Sequence, residues 1–336
     1  MLGRASLAAQ ETAQELVILS SRKEPLVRPV IDLFEKETGI RVILKTGESA
    51  ILGQQILQES PAAAADIYIA KESGSLEYLR SKGAFEPIAS TEIFVIPQEF
   101  RSREGYWVGV SGRARAVIYN EDLISYEDVP KTLWELADPR FKGMIAAAHS
   151  GNESLVAWVS ALRLSWGDEE TERFLTALKE NEIALISDSH TDVRKAVGRG
   201  EYALGLINHY YYHLQKHEPD PETTHVGIVY LDQEEGERGE LVNVTGAAII
   251  QGAPHREQAK RFVEFLLSPE AQKLFAEVNF EYPLRAGVET HPEVLEAMGC
   301  GGPSALDCLK RMKVPLDGLG AVLEGTQNLL DRVGWH

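Results

Sequence analysis

Three consecutive tyrosines, Tyr210, Tyr211 and Tyr212, stand in the stretch NHYYYHLQKH at 208–217, flanked by His209, His213 and His217. A free phenol titrates near about 10 and is a poor ligand. A small trivalent cation changes that, because it displaces the proton and holds the phenolate, and ferric iron favours anionic oxygen. Two adjacent tyrosines reach one ion if the backbone there is irregular. The competing reading is packing, in which each hydroxyl meets an ordinary partner, and the cluster taken alone favours packing. The three histidines lie four apart and would form a stripe on a helix. With no carboxylate or cysteine in register, a solvated helix face outweighs a divalent-metal site.

Other residues suit an anion. The loop HSGNES at 149–154 follows an apolar stretch and precedes a helical one, so its N–H groups either hold an anion or only cap the helix. Glu153 there is either a hard carboxylate ligand or a match to the helix dipole. Arg22, after the first strand, and Arg113, in SGRARAVIYN, each either clamp a planar anion with the guanidinium fork or lie on the surface. His190 either lines the same cleft or is solvated. Enzyme signatures are missing: the chain has no GxSxG, Walker A, GxGxxG or HExxH pattern.

The elements that position these residues alternate between strand and helix. ELVILSS (15–21), IRVILKT (40–46) and DIYIA (66–70) read as strands, separated by helical spacing over 25–39 and about 50–59, with a short helix over 73–83. The grammar returns with strands at 143–148, 183–187, 202–207, 225–231 and 243–250. Helices are expected at about 153–165, 168–180 and 189–200, where Ser189 and Asp192 resemble a capping box, and in the two late segments REQAKRFVEFLLS and PEAQKLFAEVN. The acidic stretch 231–240 reads as an exposed loop. Such alternation implies parallel βαβ units, and ligands of open α/β sheets bind beyond the carboxyl ends of strands. SSRKE, HSGNES and NHYYYH all fall at such ends.

The 336 residues suffice for two lobes, and 44% apolar with 25% charged residues is a globular composition. The net charge of −17 argues against nucleic acid or an anionic membrane as partner. No run approaches the roughly eighteen apolar residues of a membrane span. Residues 1–14 read as the remnant of an export signal with a spacer, or as a tag. Two cysteines, Cys300 and Cys308, either form a local disulfide, which would suit an oxidising compartment, or remain free thiols.

Several stretches together resemble the periplasmic ferric-ion-binding proteins, the class II solute-binding components of bacterial iron ABC importers. They are FEKETGIRV, ADIYIAKESG, GVSGRARAVIYN, DPRFKGMIAAAHSGN, ALGLINHYYYHL, VTGAAIIQGAPHREQAKRFVEFLLSPEAQKLF and EYPLRAGV, in order over about 15–290. LINHYY followed by EYPLR is the most specific part, and the tail after 290 matches less clearly. The resemblance implies two lobes, each a mixed sheet flanked by helices, joined by two crossing strands. One lobe is expected at 15–112 with 242–288, the other at 113–241 with 289–336.

By position in the motif, Tyr210 and Tyr211 match the family's paired iron-ligating tyrosines, and Tyr212 points elsewhere. Asn208 and the loop Ser150, Gly151 and Asn152 match residues that hold a synergistic anion, phosphate or carbonate. This chain departs from the pattern in two places. Where some members carry a histidine ligand after the first strand it has Arg22, and where some carry a glutamate after ADIY it has Lys71, with Glu72 beside it. Other members use arginine in the first place, with a carbonate-type anion and a third tyrosine where this chain has Glu153. The resemblance therefore implies Fe3+ on Tyr210, Tyr211 and Glu153, with an anion held by Arg22, Arg113 and the 150 loop, and with His190 and Glu72 at the cleft. It further implies a monomeric, periplasmic or extracytoplasmic binding protein, not an enzyme, that delivers iron to a membrane permease. The alternatives are another solute on the same fold, such as a phosphonate, a polyamine or thiamine, and, further off, an enzyme.

Overall fold

The computed structural model describes residues 15–59, 64–218 and 225–336; the segment read as a signal remnant or tag lies outside them. The first strand, β1 (Glu15–Ser20), pairs in parallel with β2 (Arg41–Thr46) and β3 (Ile67–Ala70). Helices α1 (Arg28–Thr38) and α2 (Ser49–Glu59) make the crossovers. α1 buries Val30, Ile31 and Phe34 on one face and stops at Gly39, whose φ of 72° is costly for any residue with a Cβ. After β3 come α3 (Ser73–Ser81) and the short β4 (Phe85–Glu86).

The strand β5 (Val108–Asn120) is thirteen residues long and buried throughout. Its first half pairs antiparallel with β10 (Val242–Ile250). Its second half pairs antiparallel with β8 (Leu204–Asn208) and β9 (Val226–Val229). Beyond β8 lie β6 (Ile145–Ala148) and β7 (Ala184–Ser187), both parallel. Among the described residues the strand order is β2-β1-β3-β10-β5-β8-β6-β7, with β4 on β10 and β9 on β5. The two long antiparallel strands β5 and β10 thus join two mixed βα halves into the expected two-lobed architecture. Continuous burial hides β5 from alternation-based reading, which is why SGRARAV does not announce itself as a strand.

Helices α4 (Glu153–Trp166), α5 (Asp168–Glu180), α6 (His190–Gly198) and α7 (Tyr210–His217) flank the second half. Helices α8 (Arg256–Leu266) and α9 (Pro269–Asn279) pack on the first half, against α1 and one another. The tail holds α10 (Pro292–Ala297), α11 (Ala305–Cys308) and α12 (Leu319–Arg332), and α12 packs on both α3 and α4. Cys300 and Cys308 form a disulfide across the turn between α10 and α11. The segment EYPLR crosses β5: Gly112 and Tyr282 exchange both backbone hydrogen bonds at 2.8 Å. A Cβ on Gly109 would stand 2.6 Å from the Phe100 carbonyl oxygen and 2.8 Å from Leu284 Cδ1, and the backbone contact is the one that keeps this position glycine.

Three local expectations are corrected. The loop 231–240 is exposed only in its middle; Asp232 and Glu240 are buried at its two ends. Ser189 caps α6 by accepting from the Thr191 N–H at 3.2 Å, and Asp192 returns no side-chain bond to complete a box. The histidine stripe is not a solvated face. His209 and His213 are buried and only His217 is exposed, because α7 lays them against Phe280 and Tyr282.

Candidate functional site

Strand ends converge on a cavity of about 270 Å³ between the two halves. Ser21, Arg22 and Lys23 arrive after β1, and Lys71 and Glu72 after β3. Gly151, Asn152, Glu153 and Ser154 arrive after β6, Asp188, Ser189 and His190 after β7, and Tyr210 and Tyr211 after β8. The last pair opens α7, where Tyr210 and Tyr211 stack with ring centroids 4.4 Å apart. Among the described residues neither phenol hydroxyl has a hydrogen-bond partner, so both oxygens remain available to a ligand. Burial pushes the Tyr210 hydroxyl well above its ordinary titration range, and Tyr211 adds to this, while Arg22 and Arg113 oppose it. Its phenolate therefore exists near neutrality only if a cation stands against it. Tyr212 turns away, packs with Ala116, Ile118 and Ile207, and carries Lys216 over its ring at 4.5 Å.

Arg22 is buried, not on the surface. Its Nη2 lies 2.8 Å from Glu281 Oε1, and its guanidinium is 5.7 Å from the Tyr210 ring centroid. The ionic contact is off the hydrogen-bond direction, so the Nε and Nη2 groups keep donors without a well-aligned acceptor. Arg113 is also buried and already engaged: Nη1 donates to Thr245 Oγ1 at 2.8 Å and Nη2 lies 2.9 Å from Glu72 Oε1. Glu72 accepts in turn from Ser154 and from Asn243. It thus ties α3, α4, β5 and β10 together, with no oxygen left free for an ion.

Glu153 faces the cavity from the first turn of α4. It accepts from Ser49 Oγ at 2.7 Å and lies 3.3 Å from Lys71 Nζ. Burial pushes its carboxyl up; Lys71 and Ser49 draw it back. Asn152 caps α4 by accepting from Leu155 N–H at 2.8 Å, while its amide donates to the Asp188 carbonyl at 2.7 Å. The Gly151 N–H donates to His149 Nδ1 at 3.0 Å.

Two expected residues lie outside this cavity. Ser150 donates its N–H to the Trp335 carbonyl and lines a larger, mainly apolar cavity of about 560 Å³ bordered by α2, α3, α4 and α12. Asn208 lies behind the site, where its amide donates to Ser154 Oγ at 3.2 Å and its carbonyl meets Arg115 at 3.4 Å. The larger cavity shares Glu72 and Glu153 with the smaller one, but the phenols line only the smaller.

Histidine contributes no charge here. Arg115 Nη1 lies 2.9 Å from His190 Nε2 and the Asn208 N–H points at Nδ1 from 3.4 Å, so both ring nitrogens face donors, and burial followed by Arg115 holds this imidazole far below its usual range. The neutral ring packs edge-on against Tyr211, centroids 5.3 Å apart. His209 accepts from the Ala114 N–H, donates from Nε2 to the Phe280 carbonyl at 2.8 Å, and is lowered by burial to about 3. It locks the start of α7 to the crossing strands. No cluster of three His, Cys, Asp or Glu able to hold a metal occurs among the described residues.

Glu281, Arg115, Lys71 and Ser49 were not singled out as site residues from sequence. Glu281 and Arg115 belong to stretches that stood out for other reasons, EYPLR and GRARAV, and no local pattern shows what they face.

Two βα halves crossed by a pair of long strands, with the strand-end loops facing one cavity, define a class II solute-binding protein. The model for the bacterial extracellular solute-binding protein family matches residues 62–303, and the chain belongs to that family. It is 32% identical over 327 residues to iron uptake protein A1 of Synechocystis sp., covering 96% of this chain and 88% of that one. It is 29% identical over 296 residues to the Fe(3+)-binding periplasmic protein of Serratia marcescens, covering 88% and 86%. Among solved structures, the Trichodesmium protein IdiA (FutA), in complex with iron and citrate ligands, superposes with a TM-score of 0.83 at 31% identity, covering 96% of this chain and all of that one. These relatives are named for binding and uptake; the protein is a binding protein and not an enzyme.

Proposed function

We propose that the protein is a periplasmic or extracytoplasmic carrier of Fe3+ that acts as a monomer and delivers its cargo to an ABC permease. The observation that carries this reading is the pair of unpartnered phenol oxygens of Tyr210 and Tyr211 in one cavity with Glu153 and the guanidinium of Arg22. The names of the relatives agree with it. In this reading the ferric ion displaces both phenol protons, Glu153 adds a third hard oxygen, and carbonate, bicarbonate or phosphate completes the shell against Arg22 and the Gly151–Asn152 loop. Arg113 contributes through Glu72. The lobes, 15–112 with 242–288 and 113–241 with 289–336, close by bending at β5 and β10. No described helix is long and apolar enough to cross a membrane.

The test is a ferric titration with bicarbonate, followed by visible absorption. The wild type should develop a phenolate-to-iron charge-transfer band. Tyr211→Phe should diminish it, and Tyr212→Phe, whose ring packs elsewhere, should leave it intact. A wild-type protein that stays colourless with ferric citrate and bicarbonate overturns the proposal.

A further inference from the structure

Behind Arg22, on the side away from the cavity, stands a carboxylate with no exposure to solvent. Glu281 Oε1 lies 2.8 Å from Arg22 Nη2, with the two side chains 0% and 3% exposed. Its other oxygen accepts from Ser111 Oγ at 2.9 Å and from Asn279 Nδ2 at 3.3 Å. Ser111 is on β5, Asn279 ends α9, and the Asn279 amide also donates to the Leu26 carbonyl, in the turn that follows Arg22. The carboxylate is thus fixed by two separate elements, β5 and α9, and aimed at one guanidinium.

We propose that Glu281 is a positioning residue that neutralises Arg22 in advance and so tunes the anion site to ligands of low charge. This rests on the iron-carrier reading. The wall of the cavity is itself balanced: Arg22, Lys23, Lys71 and Arg113 face Glu48, Glu72, Glu153 and Asp188. Glu281 adds a further negative charge just outside that wall. Two phenolates with this carboxylate match the charge of a ferric ion, which leaves little field to attract a multiply charged anion. Nε and Nη2 of Arg22 are enclosed on the Glu281 side, and Nη1, which meets no hydrogen-bond partner among the described residues, is the donor left for a planar oxyanion. The anion is then held by hydrogen-bond geometry more than by net charge.

Glu281→Gln removes the charge and keeps the shape. Arg22 then faces the cavity as an uncompensated cation, and the Coulomb attraction this adds is about twice as large for a dianion as for a monoanion. The experiment measures ferric affinity at pH 8 with bicarbonate or phosphate as the only added anion, read from the charge-transfer band. The wild type should bind iron more tightly with bicarbonate than with phosphate or citrate. Glu281→Gln should still form the coloured complex, with the bicarbonate-to-phosphate preference moved toward phosphate by on the order of tenfold. A purely structural role would lower Tm and weaken both complexes alike, and an unmoved ratio overturns the inference. If the variant does not fold, the wild-type anion series decides, and a preference for phosphate or citrate over bicarbonate overturns it. Absence of the band with every anion overturns the iron reading as well, whereas a band with an unmoved ratio overturns this inference alone.

Discussion

Glu240 offers a stability prediction that can be worked through in numbers. It stands where the chain leaves the 231–240 loop for β10, fully enclosed, with Oε1 accepting from the Leu231 N–H at 3.1 Å and Oε2 meeting no hydrogen-bond partner. Its backbone is tied on both sides, to Lys310 and Met312. Burial raises its carboxyl from the ordinary 4.5 to about 8, with Asp232 adding to the rise and the Leu231 N–H and Arg115 opposing it. The sign follows from proton counting. Between those two values the native state holds a proton that the unfolded chain has released, so the associated stability is fully present below 4.5 and is lost as pH rises toward 8. Integrated between pH 5 and pH 7.5, one such group removes about 3 kcal/mol. For a chain of this size that corresponds to roughly 4 °C in Tm. Glu240→Gln keeps a carbonyl for Leu231 and carries no titrating proton. The assay is thermal unfolding of both proteins at several pH values. The difference between wild type and variant isolates Glu240, because every other titrating group is common to the two. The variant should gain on the wild type by about that amount from pH 5 to pH 7.5. A difference that stays flat across the window refutes the assignment of a neutral buried carboxyl.

Two further outcomes are expected. Ferric binding in weakly buffered solution should release protons from both phenols, and Tyr211→Phe should release about one fewer per iron, measured by pH-stat titration. Reducing Cys300–Cys308, whose sequence separation is 8, should cost about 2–3 kcal/mol locally, read as faster proteolysis between α10 and α11 while the ferric band is retained.

The parts of the fold legible in the sequence are those with a local period. The strands β1, β2 and β3 and the helices between them follow from apolar spacing and from glycine at the stop of α1. The crossing strands are less legible: β5 is buried on both faces and reads as neither alternating nor amphipathic, despite two arginines. Those arginines look like surface residues in a linear reading, yet Arg113 is paired with Glu72, 41 positions away by number, and Arg115 with His190. Long-range pairing leaves no local signature. The same reason hides Glu281, whose only visible cue is the EYPLR motif around it. The tyrosine cluster taken alone favours packing, and it reads as an iron site only beside the resemblance carried by LINHYY and EYPLR. Which two face the cavity depends on how α7 starts, and His209, anchored to Ala114 and Phe280, sets that start.

The most direct test of the central claim is a crystal structure of the wild-type protein soaked with ferric salt and bicarbonate, with anomalous scattering measured at the iron edge. The account predicts a single iron peak bonded to the phenolic oxygens of both Tyr210 and Tyr211. A well-ordered structure with no iron between those oxygens, or with iron bound only elsewhere, contradicts it.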